Sequence, residues 1–122
     1  MKATLQSDAR PDVLSRAREY SPFLRSVAER FAQVANIFVD GGSEAAITLA
    51  LAAQGPAIDS TLRRQREGLA LAVALGDLAG ELSLEAVTGW LSDFADSAID
   101  LALRTAMAER SDIDEPLGLT VL

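Results

Sequence analysis

The sequence predicts an all-α fold, and three observations lead to this prediction. Ala and Leu are strong helix formers, and the chain of 122 residues contains 22 Ala and 18 Leu. β-branched residues are sparse, which argues against an all-β fold. Hydrophobic residues make up 49% of the chain, far more than disordered segments carry. A chain of this length forms one small domain or one piece of a larger protein.

The first 20 residues divide at a proline, and a new helix is expected to start directly after them. Residues 1–10 are polar and are expected to be frayed. A short helix is predicted over residues 12–20, with Pro11 at its first position. Ser21 and Pro22 then supply an N-cap and the first helical residue of the next helix. The apolar residues of that helix recur with a helical period: Phe23, Leu24, Val27, Ala28 and Phe31.

Residues 1–57 are predicted to form an N-terminal region of short helices. Two glycine-containing segments end helices in the second half of this region. A bend is expected near residues 32–33, and residues 40–42, Asp-Gly-Gly, are a clear stop. Ser43 is expected to cap an Ala-rich helix that reaches about Ala53. The Gln-Gly-Pro segment at residues 54–56 ends that helix.

Residues 58–109 predict a long antiparallel helical hairpin. Asp59 or Ser60 is expected to cap a helix that runs to about Ala79 and is closed by Gly80. Ser83 is expected to cap a second helix, which runs to about residue 108. Because the connection is short, the two helices should lie antiparallel, with the short N-terminal helices packed on them.

Trp90 and Phe94 lie four residues apart on one face of the second predicted helix. Their spacing and size favour a role as core anchors of the hairpin.

Residues 110–122 follow the hairpin and are interpreted in two parts. An acidic linker begins near Glu109 and runs to Pro116, and a strand is predicted over residues 117–122. Since an all-helical fold offers that strand no partner, it is expected to start an α/β domain that the sequence does not include.

The composition excludes several classes of site and partner. The chain has neither Cys nor His, which excludes structural zinc sites, thiol nucleophiles and imidazole bases. Residues 1–66 carry a net charge of +2 and residues 67–122 carry −9, so nucleic-acid binding by the second half is disfavoured. No signal-peptide pattern opens the chain, and its longest uncharged run is too short to cross a bilayer. The sequence therefore predicts a soluble cytoplasmic chain without a membrane partner.

Arg63, Arg64 and Arg66 form the only basic cluster. The hairpin register places Arg63 level with Asp100 and Arg66 close to Asp96, so intramolecular ion pairing is the favoured interpretation. A contact with a neighbouring domain and a phosphate contact are the alternatives.

Two acidic patterns could in principle hold a cation. Asp93, Asp96 and Asp100 lie on one helix face, but bundle metal sites usually draw ligands from several helices, so an ion-paired or solvated stripe is favoured. Asp112 and Asp114 form an Asp-x-Asp pair of the kind that nucleotidyltransferases use for Mg²⁺. Glu-Pro follows where a strand would need apolar residues, so these two are interpreted as linker. No metal site or catalytic residue is predicted.

Four segments, in order, resemble the N-terminal helical region of bacterial glutamine synthetase adenylyltransferase. They are Leu-Arg-Arg-Gln-Arg at 62–66, Leu-Gly-Asp-Leu-Ala-Gly at 75–80, Leu-Ser-Leu-Glu-Ala-Val-Thr at 82–88 and Leu-Ser-Asp-Phe-Ala-Asp at 91–96. The Ser-Pro-Phe-Leu segment at 21–24 resembles the alphaproteobacterial form of the same family. The resemblance covers about residues 15–122.

The resemblance implies a fragment of a large bifunctional enzyme. That enzyme resembles a tandem of two DNA polymerase β-like nucleotidyltransferase domains. The N-terminal domain deadenylylates glutamine synthetase and the C-terminal domain adenylylates it, in nitrogen regulation. PII-type signalling proteins control the balance between the two activities. Mg²⁺ and ATP are implied for the full-length enzyme, and none for this fragment. In the family, a strand like residues 117–122 leads into a Gly-rich segment and a catalytic Asp-x-Asp strand, and neither is present here. The rival hypothesis is a free-standing helical protein–protein interaction domain that binds a partner through an apolar groove.

Overall fold

The chain is all-helical over the residues that its computed structural model describes, which are 2–113 for the backbone and 9–110 for the side chains. Six helices follow one another in this range: α1 Lys2–Tyr20, α2 Pro22–Arg30, α3 Ala32–Gly41, α4 Ser43–Leu51, α5 Ile58–Leu78 and α6 Leu84–Ile113. The chain divides into two compact units, Met1–Leu91 and Ser92–Leu122, and the boundary falls inside α6. The strand predicted at 117–122 lies outside the described residues. The hairpin packing of α5 on α6 is not confirmed.

Helix α5 is the central element of the first unit, because each of α1, α2, α3 and α4 contacts it. Gly68 allows α4 to approach closely, since a Cβ at this position would lie 3.1 Å from the Cβ of Ala50. The largest fully buried side chains come from α2 to α5: Phe38, Ile47, Leu69, Leu71, Leu75 and Val27. The hydrophobic core of the unit therefore surrounds α5.

Local signals place several helix ends where the sequence predicts them. The Ser21 Oγ accepts the Leu24 N–H at 3.1 Å, as expected of the N-cap of α2. Ser83 caps α6, because its Oγ accepts the Ala86 N–H at 3.1 Å. Helix α5 ends at Leu78, and Gly80 follows with a φ of +76°, a conformation that glycine adopts without steric cost.

Four boundary predictions are corrected by the structure. Residues 2–10 belong to α1 rather than to a frayed end, and Pro11 lies inside the helix. The break expected near residues 32–33 lies at Phe31, which separates α2 from α3. The N-cap of α4 is Gly42, with a φ of +91°, and Ser43 is the first helical residue. Strong helix formers such as Ala3, Leu5 and Ala9 extend α1 toward the N-terminus.

The caps of α5 and the end of α6 also differ from the predictions. Ala57, not Asp59 or Ser60, is the N-cap of α5. The Ser60 Oγ accepts the Ala57 N–H at 3.1 Å. This is the bond that the side chain at the third helical position makes to the N-cap residue in a capping box. Helix α6 continues to Ile113, so residues 109–113, predicted as linker, are helical.

Candidate functional site

The basic cluster lies on the first half of α5, and the structure gives one of its members a definite partner. Arg63, Arg64 and Arg66 are all exposed. The Arg64 Nη1 donates to the backbone carbonyl of Gln54 at 2.6 Å. Arg64 thus ties α5 to the preceding loop, a structural partner different from the acidic stripe that the sequence suggested.

Two further side chains of α5 hold the same loop. The Thr61 Oγ1 accepts the Gly55 N–H at 2.8 Å, and the Gln65 Nε2 donates to the Ala53 carbonyl at 3.1 Å. Together with Arg64 they satisfy backbone groups that no helix ladder can reach. The basic segment of α5 is therefore partly occupied in shaping the connection from α4.

The acidic stripe lies on α6 and is exposed at Asp93, Asp96 and Asp100. The Asp100 Oδ2 forms an ion pair with the Arg104 Nη2 of the same helix at 2.6 Å. Among the side chains that the structure describes, no group of three His, Cys, Asp or Glu residues could hold a metal ion. Asp112 lies on the last turn of α6, and Asp114 lies outside the described residues.

The two predicted core anchors are only half-buried. Trp90 and Phe94 are both of intermediate exposure, whereas Phe38 and Ile47 have no exposed surface. The size and spacing of the two aromatic residues favour a core position, but the largest fully buried side chains come from α2 to α5. Trp90 instead lines a cleft.

This cleft has a volume of about 450 Å³ and is lined by residues from α1, the α3–α4 junction, the connection after α5 and the start of α6. Its polar centre is Glu81. The Arg10 Nε donates to the Glu81 Oε2 at 2.6 Å, and the Ser43 backbone N–H donates to the Glu81 Oε1 at 3.0 Å. A carboxylate at this position completes the N-terminus of α4, where the helix dipole favours an anion.

The electrostatics of the cleft keep Glu81 ionised. Burial raises the pKa of Glu81, but hydrogen bonds from Arg10 and Ser43 and the charge of Arg10 outweigh it, so the pKa lies below its usual value of 4.5. The side chains of Arg10 and Glu81 are 21% and 12% exposed. Since both carboxylate oxygens are engaged, Glu81 is placed to join helices rather than to accept a proton from a substrate.

Glycine at position 42 is required by this arrangement. A Cβ there would lie 2.7 Å from the Arg10 Nη2 and 3.1 Å from the Glu81 Oε1, and its φ is +91°. The sequence alone indicates Gly42 only as a helix stop, and it does not point to Arg10 or Glu81. Glu81 directly follows Gly80, but its partner Arg10 lies 71 residues away, so no local pattern connects the two.

A second, largely apolar groove of about 430 Å³ lies where α1 meets α2 and the end of α5. Val13 and Ala17 form its floor from α1, and Leu24 and Leu78 line it from α2 and α5. Tyr20 at its edge is 77% exposed and Leu78 is 55% exposed. Apolar surface of this kind is a feature of sites that bind other proteins.

None of the helices in the described part of the chain is long and apolar enough to span a membrane. In comparisons with known proteins, no family model, no curated protein and no solved structure matches this chain. The geometry and the sequence pattern therefore carry the functional argument.

Proposed function

We propose that this chain is the N-terminal helical scaffold of an enzyme that adenylylates and deadenylylates glutamine synthetase in nitrogen regulation. The observation that carries the proposal is the order and spacing of the four segments between residues 62 and 96 that resemble this family. The all-helical architecture over residues 2–113 agrees with what the resemblance implies. The scaffold supplies no catalytic carboxylate, because neither Asp112 nor Asp114 matches the family's metal-binding pair.

In this proposal, the chain acts through its neighbours in the parent protein. The resemblance implies that the chain leads, after residues 117–122, into the nucleotidyltransferase domain, which binds Mg²⁺ and ATP. Glutamine synthetase and PII-type regulators are partners of the whole enzyme, which works in the cytoplasm. The exposed arginines Arg63 and Arg66 are available to contact the nucleotidyltransferase domain, or to pair with the acidic stripe if the predicted hairpin forms.

The reading frame that encodes the chain provides the first test. We expect it to continue past Leu122 into a Gly-rich loop and an Asp-x-Asp strand. A stop codon directly after Leu122 would contradict the scaffold proposal and favour the interaction domain.

An activity assay provides the second test. The purified chain, mixed with glutamine synthetase, Mg²⁺ and either ATP or phosphate, should transfer or remove no adenylyl group. The full-length enzyme, assayed in parallel, should do both. Turnover by the purified chain alone would show that the catalytic residues were missed.

If α5 and α6 form the antiparallel hairpin that the sequence predicts, a separate and smaller effect is expected. Partly exposed ion pairs contribute about 0.2 to 1 kcal/mol, so a double-mutant cycle on Arg63→Ala and Asp100→Ala should show coupling of that size, reduced by salt. The cycle is repeated with Arg66 and Asp96 to allow for a register error. Zero coupling in both cycles, together with a large activity loss when Arg63 or Arg66 is replaced in the full-length enzyme, would favour a domain contact.

A free-standing helical interaction domain is the second candidate, and the groove beside Tyr20 and Leu78 favours it. In that case, replacing Leu78 with Ser would abolish capture of a partner. Under the scaffold proposal, the same replacement leaves the adenylylation activity of the full-length enzyme within about twofold of normal.

A further inference from the structure

Helix α1 is held by few apolar side chains. Among its described side chains, residues 9–20, only Val13 and Ala17 are buried. Helix α5 buries eight of its 21 residues. Because the hydrophobic contribution scales with the apolar area removed from water, residues 9–20 of α1 gain less from the core than α5 does.

The backbone at the end of α1 allows the helix to rotate relative to α2. Ser21 alone separates α1 from α2, with extended torsion angles of −127° and 107°. A single non-helical residue between two helices can absorb a hinge rotation.

One polar contact binds α1 to distant parts of the first unit. Arg10 reaches the Glu81 carboxylate, and the same carboxylate accepts the N–H of Ser43 at the start of α4. The other ion pair of α1, between Arg16 and Asp12, is within the helix and exposed. Arg10 is therefore the charged side chain of α1 that joins it to another element in the described residues.

From these observations we propose that α1 is a strap that opens as a unit about Ser21, and that the Arg10–Glu81 ion pair is its latch. Opening separates Arg10 from Glu81 and lifts Val13 and Ala17 away. It uncovers the apolar surface of α2, α3 and α5 that α1 contacts in the closed state. Ser43 remains bonded to Glu81, so the N-terminus of α4 stays capped when the strap is open.

The test is native-state hydrogen exchange on the complete chain, read separately for amides 13–20 of α1 and amides 69–76 of α5. In the unaltered chain, we expect the α1 amides to be protected at least about tenfold less than the α5 amides, because they exchange through local opening. Glu81→Gln removes the charge-assisted bond from Arg10 and should accelerate exchange in α1 about tenfold further. Leu69→Ala, which weakens the core but leaves this bond in place, should accelerate exchange in α5 and leave α1 within about twofold. In the Glu81→Gln chain, the fluorescence emission of Trp90, which lines the same cleft as Glu81, should be red-shifted relative to the unaltered chain.

Asp12→Asn is the matched control, because it removes an exposed ion pair of the same helix and should leave exchange in α1 within about twofold of the unaltered chain. Equal protection of α1 and α5 in the unaltered chain would overturn the proposal. So would an unchanged exchange rate of the α1 amides in the Glu81→Gln chain. Failure of the Glu81→Gln chain to fold would also overturn it, since a latch on α1 alone is not needed by the other helices.

Discussion

Helices α5 and α6 are both rich in Ala and Leu, but their surroundings differ. Helix α5 buries eight of its 21 residues. Helix α6 has 30 residues, and none of its described side chains, residues 84–110, is buried. Its large exposed hydrophobic side chains are Leu84, Leu91, Ile99, Leu101, Leu103 and Met107. Composition and periodicity therefore specify a helix, whereas burial depends on which other elements pack against it.

The largest difference should appear when the same substitution is made in both helices. Leu69 of α5 has no exposed surface, and Leu103 of α6 is 57% exposed. Leu69→Ala should lower the free energy of unfolding by about 2 to 5 kcal/mol, because it leaves a cavity in the core. Leu103→Ala should change it by less than about 0.5 kcal/mol.

Urea unfolding followed by circular dichroism measures both values. The unaltered chain is the reference for each. Equal losses for the two variants would mean that Leu103 is covered in solution, and the contrast between the helices would fail.

A smaller effect, of opposite sign in the two helices, is expected for glycine replacements. A Cβ on Gly76 of α5 would lie 2.6 Å from the Leu82 Cδ1 and 2.8 Å from the Ser43 Cβ, whereas one on Gly89 of α6 would meet nothing within 4 Å. Gly76→Ala should therefore destabilise the chain by about 1 to 3 kcal/mol through overpacking. Gly89→Ala should stabilise it by about 0.5 to 1 kcal/mol, because alanine loses less backbone entropy in a helix.

Thermal melts of the two glycine variants provide the measurement. If Gly89→Ala lowers the melting temperature, a neighbour covers that face of α6. If Gly76→Ala raises it, the contact of Gly76 with Leu82 and Ser43 is looser than the distances indicate.

The smallest effect concerns pH and the contact that Glu81 makes beside the end of α5. Because the pKa of Glu81 is below its usual value of 4.5 in the folded chain, the unfolded chain takes up the proton first as pH falls. The stability that this carboxylate supplies is fully present above the usual value and is lost as pH falls through the lower folded value. The difference in unfolding free energy between the unaltered chain and Glu81→Gln should therefore be constant above pH 4.5 and shrink as the pH falls below that value. A difference that stays constant below this value as well would show that the Arg10 contact does not hold Glu81 ionised.

Features set by neighbours in sequence could be predicted. The Ser21 and Ser83 caps and the end of α5 before Gly80 each depend on bonds or torsion angles within a few residues. Such signals act before tertiary structure is considered, so the sequence is sufficient to locate them. The all-helical class follows in the same way from residue propensities.

Features set by distant residues could not be predicted. The Arg10–Glu81 ion pair joins positions 71 residues apart, and no periodicity connects them. The polar residues near the terminus predict fraying, but strong helix formers extend α1 through Pro11. The size and spacing of Trp90 and Phe94 favour a core position, but their exposure depends on what packs beside α6, which spacing alone does not specify.

The core around α5 holds the buried side chains of the first unit, and α6 has no buried side chain over its described residues, 84–110. Residue-resolved hydrogen exchange of the complete chain tests this contrast most directly. Amides 69–75 of α5 should exchange only through global unfolding, and amides 99–107 of α6 should exchange at least about a hundredfold faster through local opening. Equal protection of the two segments would contradict this contrast, because it would require α6 to unfold together with the core.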